Sequence, residues 1–118
     1  MIERWLEEVK NGGDRENVGM FLVHNGIVRA TSKDGKSVQG MYLSYDKEKL
    51  DTVIATFRGR EGIAAIKVWI NEGTLKVGDD IMFVLVAGRF RTDVLPVLQD
   101  LLTSIKRDVV REKEISSL

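Results

Sequence analysis

Ile81-Met82-Phe83-Val84-Leu85-Val86-Ala87 is the longest apolar run in the chain. It is far shorter than the roughly 20 residues that cross a bilayer, and Val77-Gly78-Asp79-Asp80 before it has the composition of a turn. A short, nearly all-apolar run is typical of a strand that is covered on both faces. We therefore expect residues 81 to 87 to form the central strand of a sheet.

Periodic patterns on either side of this run predict the other elements. Helical spacing indicates helices at residues 2 to 10 and 50 to 57, and strand-forming or alternating residues indicate strands at residues 18 to 29, 38 to 45 and 64 to 70. We expect the first two strands to form an antiparallel pair across the exposed loop at residues 32 to 36. The predicted order is α-β-β-α-β-β-α.

A final helix is indicated by Leu95, Leu98, Leu102 and Ile105, which share one face at helical spacing. Thr92 or Asp93 is expected to cap it, with Pro96 in the tolerant first turn. Gly73 and Gly78 bracket a segment without the Gly-Lys-Ser/Thr ending of a phosphate loop, so we interpret them as turn glycines.

Length and composition limit the classes of protein to which the chain can belong. The 118 residues are 43% hydrophobic and predict a single domain over residues 1 to 118. Equal numbers of basic and acidic residues, 18 each, argue against a nucleic-acid or membrane surface. Without cysteine, and with one histidine, we expect no disulfide and no cysteine or histidine metal site.

The N-terminal segment mixes acidic residues into its first turns and lacks the apolar stretch of a secretory signal. We therefore expect a cytoplasmic protein.

Several cations follow predicted elements, and in a chain of zero net charge they suggest a local pocket for a small anion. Arg29 follows Gly26-Ile27-Val28 at a strand end, Arg89 and Arg91 follow the central strand, and Lys106 and Lys113 follow the last helix. Each has a simpler explanation when taken alone. Arg29 could be a solvated arginine beside a turn, Arg89 and Arg91 could cover a sheet edge, and Lys106 could complement the helix dipole.

From their local sequence alone, Lys113 and His24 are assigned no chemical role. Lys113 lies in a segment with the composition of an ordinary charged tail. It is a candidate site residue only because it pairs with Lys106. His24 alternates with apolar neighbours and is more typical of a half-buried histidine than of a ligand.

The order and spacing of these motifs resemble the large, catalytic subunit of molybdopterin synthase (MoaE). The resemblance rests on Gly26-Ile27-Val28-Arg29, Val38 with Tyr42-Leu43, Gly73-Thr74-Leu75 with Gly78-Asp79-Asp80, Arg91, Lys106 and Lys113, and it covers roughly residues 18 to 114. It implies an α/β (α+β) hammerhead fold with three helices and a mixed, largely antiparallel sheet.

The resemblance also implies a function. The subunit would form a homodimer and, with two copies of a small ubiquitin-like (MoaD-like) sulfur carrier, a heterotetramer. The carrier's C-terminal Gly-Gly thiocarboxylate would donate sulfur to cyclic pyranopterin monophosphate in molybdenum cofactor biosynthesis, with no cofactor or metal. Lys106 and Lys113 are then the expected catalytic residues, and Arg29, Arg91 and Arg89 the expected anion-binding residues.

The chain departs from the family pattern at four places. Phe90-Arg91 and Ile70-Asn71 each stand where the family commonly has His-Arg, and the segment before Lys113 lacks the usual Pro and Trp. We also expect the chain to lack the usual C-terminal extension. Two alternatives therefore remain open. One is a non-catalytic relative that binds a ubiquitin-like partner, and the other is a likeness of architecture alone, with a pocket for an unrelated small anion.

Overall fold

The helices and strands are defined by a computed structural model, which describes residues 1–116. The helices are α1 (Ile2–Asn11), α2 (Lys47–Arg58) and α3 (Arg91–Ser104), and the strands are β1 (Met20–Ile27), β2 (Val38–Tyr45), β3 (Ile63–Ile70), β4 (Gly73–Lys76), β5 (Asp80–Gly88) and β6 (Val110–Ser116). A single 3₁₀ turn spans Arg15–Asn17, and a π-helical turn spans Ile105–Val109.

The strands form two three-stranded sheets with the orders β1-β5-β3 and β4-β2-β6. Every pairing within them is antiparallel. The apolar run lies at the centre of the larger sheet, as its composition predicts, and Val84, Leu85, Val86 and Ala87 are all 0% exposed. Three helices and largely antiparallel pairing confirm the expected fold class.

The expected pairing of β1 with β2 is wrong. β1 pairs with β5, with Met20 opposite Gly88, while β2 lies in the smaller sheet between β4 and β6. The loop that joins them is closed only by an isolated bridge between Thr31 and Ser37. Because the apolar β5 needs a partner on each edge, it takes β1 on one side and β3 on the other.

The smaller sheet contains two strands that the sequence patterns did not predict. Gly73 begins β4 with φ +132°, whereas Gly78 does lie in a turn, with φ +93°. Residues 110 to 116, expected as a charged tail, form β6 along the edge of β2.

The capping prediction for α3 is also wrong. The helix begins at Arg91 after Phe90, so Thr92 and Asp93 lie inside its first turn, and no side chain caps it. Pro96 is the sixth residue of α3 and so lies beyond that first turn. By contrast, Asp46 caps α2 by accepting a hydrogen bond from the Lys49 N–H at 3.0 Å.

The hydrophobic core lies on both faces of the larger sheet. On one face, α1 packs Val9 against Leu85 and Ala87. On the other, α2, α3 and the smaller sheet share one cluster, in which Met41 of β2 and Leu101 of α3 pack with Val84 of β5. No helix in the described part of the chain is both long and apolar enough to cross a membrane.

Candidate active site

A cavity of about 690 Å³ opens where the end of β1, the start of β5, the loop before β2 and the edge strand β6 meet. Three cations line it, Arg29, Lys33 and Lys106. We call it the Lys106 cavity. It brings together two of the five cations that the sequence analysis selected.

Arg29 is held at this cavity by its buried neighbour. Val28 is 2% exposed, its N–H donates to the Asp79 carbonyl at 2.9 Å, and its carbonyl accepts from the Gly78 N–H at 2.9 Å. The end of β1 is therefore fastened to the turn between β4 and β5. The exposed Arg29 side chain follows immediately and can present its planar guanidinium to an anion.

Lys106 lies in the π-helical turn that joins α3 to β6. Ile105 and Val109 anchor this turn in the core at 0% and 2% exposure, and the Val110 N–H closes it onto the Ile105 carbonyl. Lys106 therefore lies one residue beyond a buried anchor, where its exposed side chain lines the cavity. Single π turns of this kind are frequent at functional sites.

The loop between β1 and β2 forms another wall through Ser32, Lys33 and Asp34. Its tip is ordered by the Ser32 N–H, which donates to the Lys36 carbonyl at 2.8 Å, and by Gly35 at φ +83°. The Ser32 hydroxyl also donates to the Asp34 carboxylate, which lowers the pKa of Asp34.

Two further carboxylates, Glu112 and Glu114, line the cavity from β6. Side chains alternate along a strand, so these two share a face and Lys113 lies on the other. With Asp34 they give the cavity three acidic groups beside its three basic ones. The cavity is therefore acidic as well as basic, whereas the sequence analysis selected only its cations. Interpreting residues 110 to 116 as a strand would have placed Glu112 and Glu114 on one face.

Lys113 lines a different pocket. It lies directly opposite Tyr42 on the outer face of the smaller sheet, where a pocket of about 340 Å³ also contacts Thr74 and Arg111. We call it the Tyr42 pocket, and Glu112 lines both this pocket and the Lys106 cavity. Lys106 does not line that pocket, and Lys113 does not line the Lys106 cavity. Within one chain the structure does not bring the two expected catalytic lysines to the same cavity.

Arg89 and Arg91 lie at the other end of β5. Met82 lines the cavity near the start of that strand, and Arg89 comes seven residues later, roughly 24 Å along an extended chain. Arg89 forms ion pairs with Asp93 at 3.3 Å and with Glu61 at 3.5 Å. Arg91 is exposed and is the first residue of α3. Neither arginine lines the Lys106 cavity.

His24, to which the sequence assigned no chemistry, is a neighbour of this site. Its Nε2 lies 3.4 Å from the position that a Cβ on the cavity residue Gly26 would occupy. Burial and, secondarily, the positive charge of Lys106 lower the pKa of His24. The imidazole is therefore neutral at pH 7 and has the protonation state of a proton acceptor.

Acidic and histidine side chains could in principle hold a metal, so their grouping matters. Among residues 1–116, no three of them are placed close enough to do so. The cavity itself presents ammonium, guanidinium, carboxylate and hydroxyl groups, with the His24 imidazole beside it.

Comparison with known proteins assigns the family. The model of the MoaE protein family matches residues 2–108 of this chain. The chain belongs to the MoaE family. Membership supports a role in molybdenum cofactor biosynthesis as a transferase subunit. A comparison with curated protein sequences gives no significant match.

Solved MoaE-family structures have the same fold. Molybdopterin synthase from Staphylococcus aureus superposes with a TM-score of 0.79 at 20% identity, covering 99% of this chain and 85% of that one. A complex of subunits 1 and 2 of molybdopterin-converting factor from Helicobacter pylori 26695 gives 0.73 at 19% identity, covering 98% and 80%. The MoaE protein from Burkholderia ambifaria MC40-6 gives 0.72 at 17% identity, covering 99% and 84%.

The residues matched by the family model include one of the two expected catalytic lysines and not the other. The match includes Lys106 and ends at residue 108, five residues before Lys113. Lys106 therefore lies within the matched residues and lines the larger cavity, whereas Lys113 lies beyond them and lines the smaller pocket.

Proposed function

We propose that this MoaE-family chain is the catalytic subunit of a cytoplasmic molybdopterin synthase. It transfers sulfur from the C-terminal thiocarboxylate of a ubiquitin-like carrier to cyclic pyranopterin monophosphate. The single observation that carries the proposal is that Arg29 and Lys106 line one cavity in a chain that belongs to this family.

The two cations suit the two anionic groups of this reaction. Arg29 can bind the phosphate through parallel N–H donors, and the Lys106 ammonium can hold the thiocarboxylate. The thiocarboxylate sulfur first bonds to a carbon of the precursor and displaces an oxygen substituent there, which joins the carrier and the precursor through a thioester. Water then adds to the thioester carbonyl carbon and forms an intermediate with a negatively charged oxygen. The bond between the acyl carbon and sulfur breaks, so the sulfur stays on the precursor and the carrier departs as a carboxylate. An ammonium fixed beside the negatively charged oxygen stabilises the intermediate more than the reactants.

The first prediction concerns Lys106. Lys106→Ala removes the ammonium, so we expect sulfur transfer from a thiocarboxylated carrier to fall by about 10²- to 10³-fold or more, the range for loss of one oxyanion-stabilising group. Formation of the dithiolene product measures the rate, and far-ultraviolet circular dichroism measures the fold. Turnover by this variant at the wild-type rate would contradict the assignment.

Two lysine variants serve as controls for this experiment. Lys47→Ala removes an exposed ammonium from α2, outside every cavity described above, and should leave the rate unchanged. Lys113→Ala tests the second expected catalytic lysine. Because Lys113 lines the Tyr42 pocket, we expect it to retain more activity than Lys106→Ala.

The assembly belongs to the same proposal. The Helicobacter pylori neighbour is a complex of two different subunits of molybdopterin-converting factor. We propose that this chain likewise binds a small MoaD-like carrier ending in Gly-Gly, and that two copies pair to give a heterotetramer.

A second candidate function is a non-catalytic relative that binds such a carrier without chemistry. Two observations favour it: Phe90 stands where the resemblance implies histidine, and Lys113 lies apart from the Lys106 cavity. In that case a Gly-Gly-ending carrier would bind, but loaded carrier and precursor would give no dithiolene. Detection of the product rejects this candidate, and failure of any carrier to bind would favour an unrelated small anion instead.

A further inference from the structure

Two carboxylates in the Lys106 cavity have no part in the sulfur transfer described above. Glu112 and Glu114 face the same space as Arg29 and Lys106, although acids near a thiocarboxylate and a phosphate repel both. Neither glutamate has an ion pair or a side-chain hydrogen bond to another residue within 1–116. Their hydrogen-bonding capacity is therefore available to a ligand.

Next to these carboxylates lies an apolar floor. Met41 and Met82 line the cavity and are 6% and 3% exposed. Met41 lies directly opposite Glu114 in the pairing of β2 with β6. Thioether groups make favourable contacts with aromatic rings, so a flat heterocycle resting on the two methionines would bring one edge towards the β6 carboxylates.

The size and charge pattern of the cavity define such a ligand further. Its volume of about 690 Å³ lies within the range of small-molecule sites. Arg29 follows β1 and Lys106 lies in the π turn, whereas Glu112 and Glu114 lie on β6. The loop between β1 and β2 adds one charge of each sign through Lys33 and Asp34. The cavity therefore suits a planar ring that carries N–H donors at one edge and an anionic group elsewhere.

We propose that Glu112 and Glu114 recognise the 2-amino-4-oxopyrimidine edge of a pterin. The exocyclic amino group and the adjacent ring N–H both donate in the same direction, and a carboxylate can accept both with its two oxygens. Arg29 and Lys106 remain for the phosphate and the thiocarboxylate. This inference rests on the proposed function, since it names how the same site selects its substrate.

The test compares two fluorescent probes that differ in the substituent at C2 of the pyrimidine ring. 6-Hydroxymethylpterin carries the amino group at C2, and 6-hydroxymethyllumazine carries a carbonyl oxygen there. Wild-type protein should bind the pterin at least about tenfold more tightly, because the lumazine oxygen faces a carboxylate and one donor is lost. Fluorescence titration gives both dissociation constants.

The double variant E112Q/E114Q should bring this ratio close to one, because a glutamine amide can donate to the lumazine carbonyl. E3Q/E7Q is the matched control. It makes the same charge change on exposed glutamates of α1, which packs on the opposite face of the larger sheet. Its ratio should equal that of the wild type.

Three results would overturn the inference: equal wild-type affinities, a ratio that survives in E112Q/E114Q, or no pterin binding. Sulfur transfer, measured on the same preparation, keeps the two proposals separate. If dithiolene forms but the protein binds both probes equally, the proposed contact with the pterin ring is rejected and the catalytic function is not. Discrimination without dithiolene formation rejects the catalytic function and leaves the ring contact standing.

Discussion

The pKa of His24 is a probe of the positive charge in the Lys106 cavity. It is the only histidine in the chain, so its ring protons can be identified in a proton NMR spectrum without further assignment. Burial is the larger cause of its lowered pKa and the charge of Lys106 the smaller one. The two causes can be separated by mutation.

We expect NMR titration to give His24 a pKa below 6.5 in the wild type. Lys106→Ala should raise the pKa, because a neighbouring positive charge disfavours the imidazolium. The value should stay below 6.5, since the effect of burial remains.

Lys113→Ala is the control for this titration, because Lys113 lines the Tyr42 pocket on the other side of β6. It should leave the His24 pKa unchanged. An equal rise in both variants would mean that the two ammonium groups converge on one space after all.

At the scale of the elements, the close approach of β2 and β4 depends on Gly40. A Cβ at this position would lie less than 3.0 Å from the backbone carbonyl oxygen of Leu75. Gly40→Ala should therefore separate these strands and lower the free energy of unfolding by about 1–3 kcal/mol, as overpacking typically does. Urea denaturation measures the change.

Gly13→Ala is the matched control for this substitution. A Cβ on Gly13 meets no atom within 4 Å, and its φ is not positive. A loss of stability as large as that of Gly40→Ala would show that the backbone contact is not the cause.

Elements with a clear hydrophobic period were predictable from the sequence, and those without one were not. β3 spans Ile63–Ile70, close to the residues 64 to 70 whose alternation predicted it, and β5 occupies the centre of its sheet. β6 gave no such signal. Glu112 and Glu114 on its inner face and Lys113 on its outer face are all charged and exposed, so nothing in the sequence distinguishes the two faces.

Pairing partners were harder to predict than the strands themselves. The sequence places β1 and β2 on either side of a turn-like loop, which favours a hairpin on local grounds. Met20 instead pairs with Gly88, and Tyr42 pairs with Thr74 on one side and Lys113 on the other, all far away in sequence. Arg29 and Lys106 could be selected through resemblance, but their shared cavity depends on these long-range contacts.

At the scale of the molecule, the chain is elongated, with dimensions of 53 × 25 × 24 Å. The Lys106 cavity lies near the start of β5, and Arg91 lies beyond its end. If both serve one reaction, Arg91 must reach the cavity of a second copy. We therefore expect a homodimer, and sedimentation that shows only a 13.3 kDa monomer would contradict it.

Mixing two inactive variants tests this shared site. Arg91→Ala keeps Lys106, and Lys106→Ala keeps Arg91, so a mixed dimer contains one intact site. Unfolding and refolding the two together in equal amounts should restore about a quarter of wild-type sulfur transfer, because half of the dimers are mixed and each has one working site. Refolding each variant alone is the control, and no recovery in the mixture would contradict a site shared between two copies.

The walls of the Lys106 cavity come from segments that the ribosome makes far apart in time. Arg29 belongs to the first third of the sequence, whereas Glu114 follows every other helix and strand described here. Until residue 114 has been translated, the nascent chain has no complete cavity. An unfinished polypeptide therefore acquires the complete cavity only with β6, its last described strand.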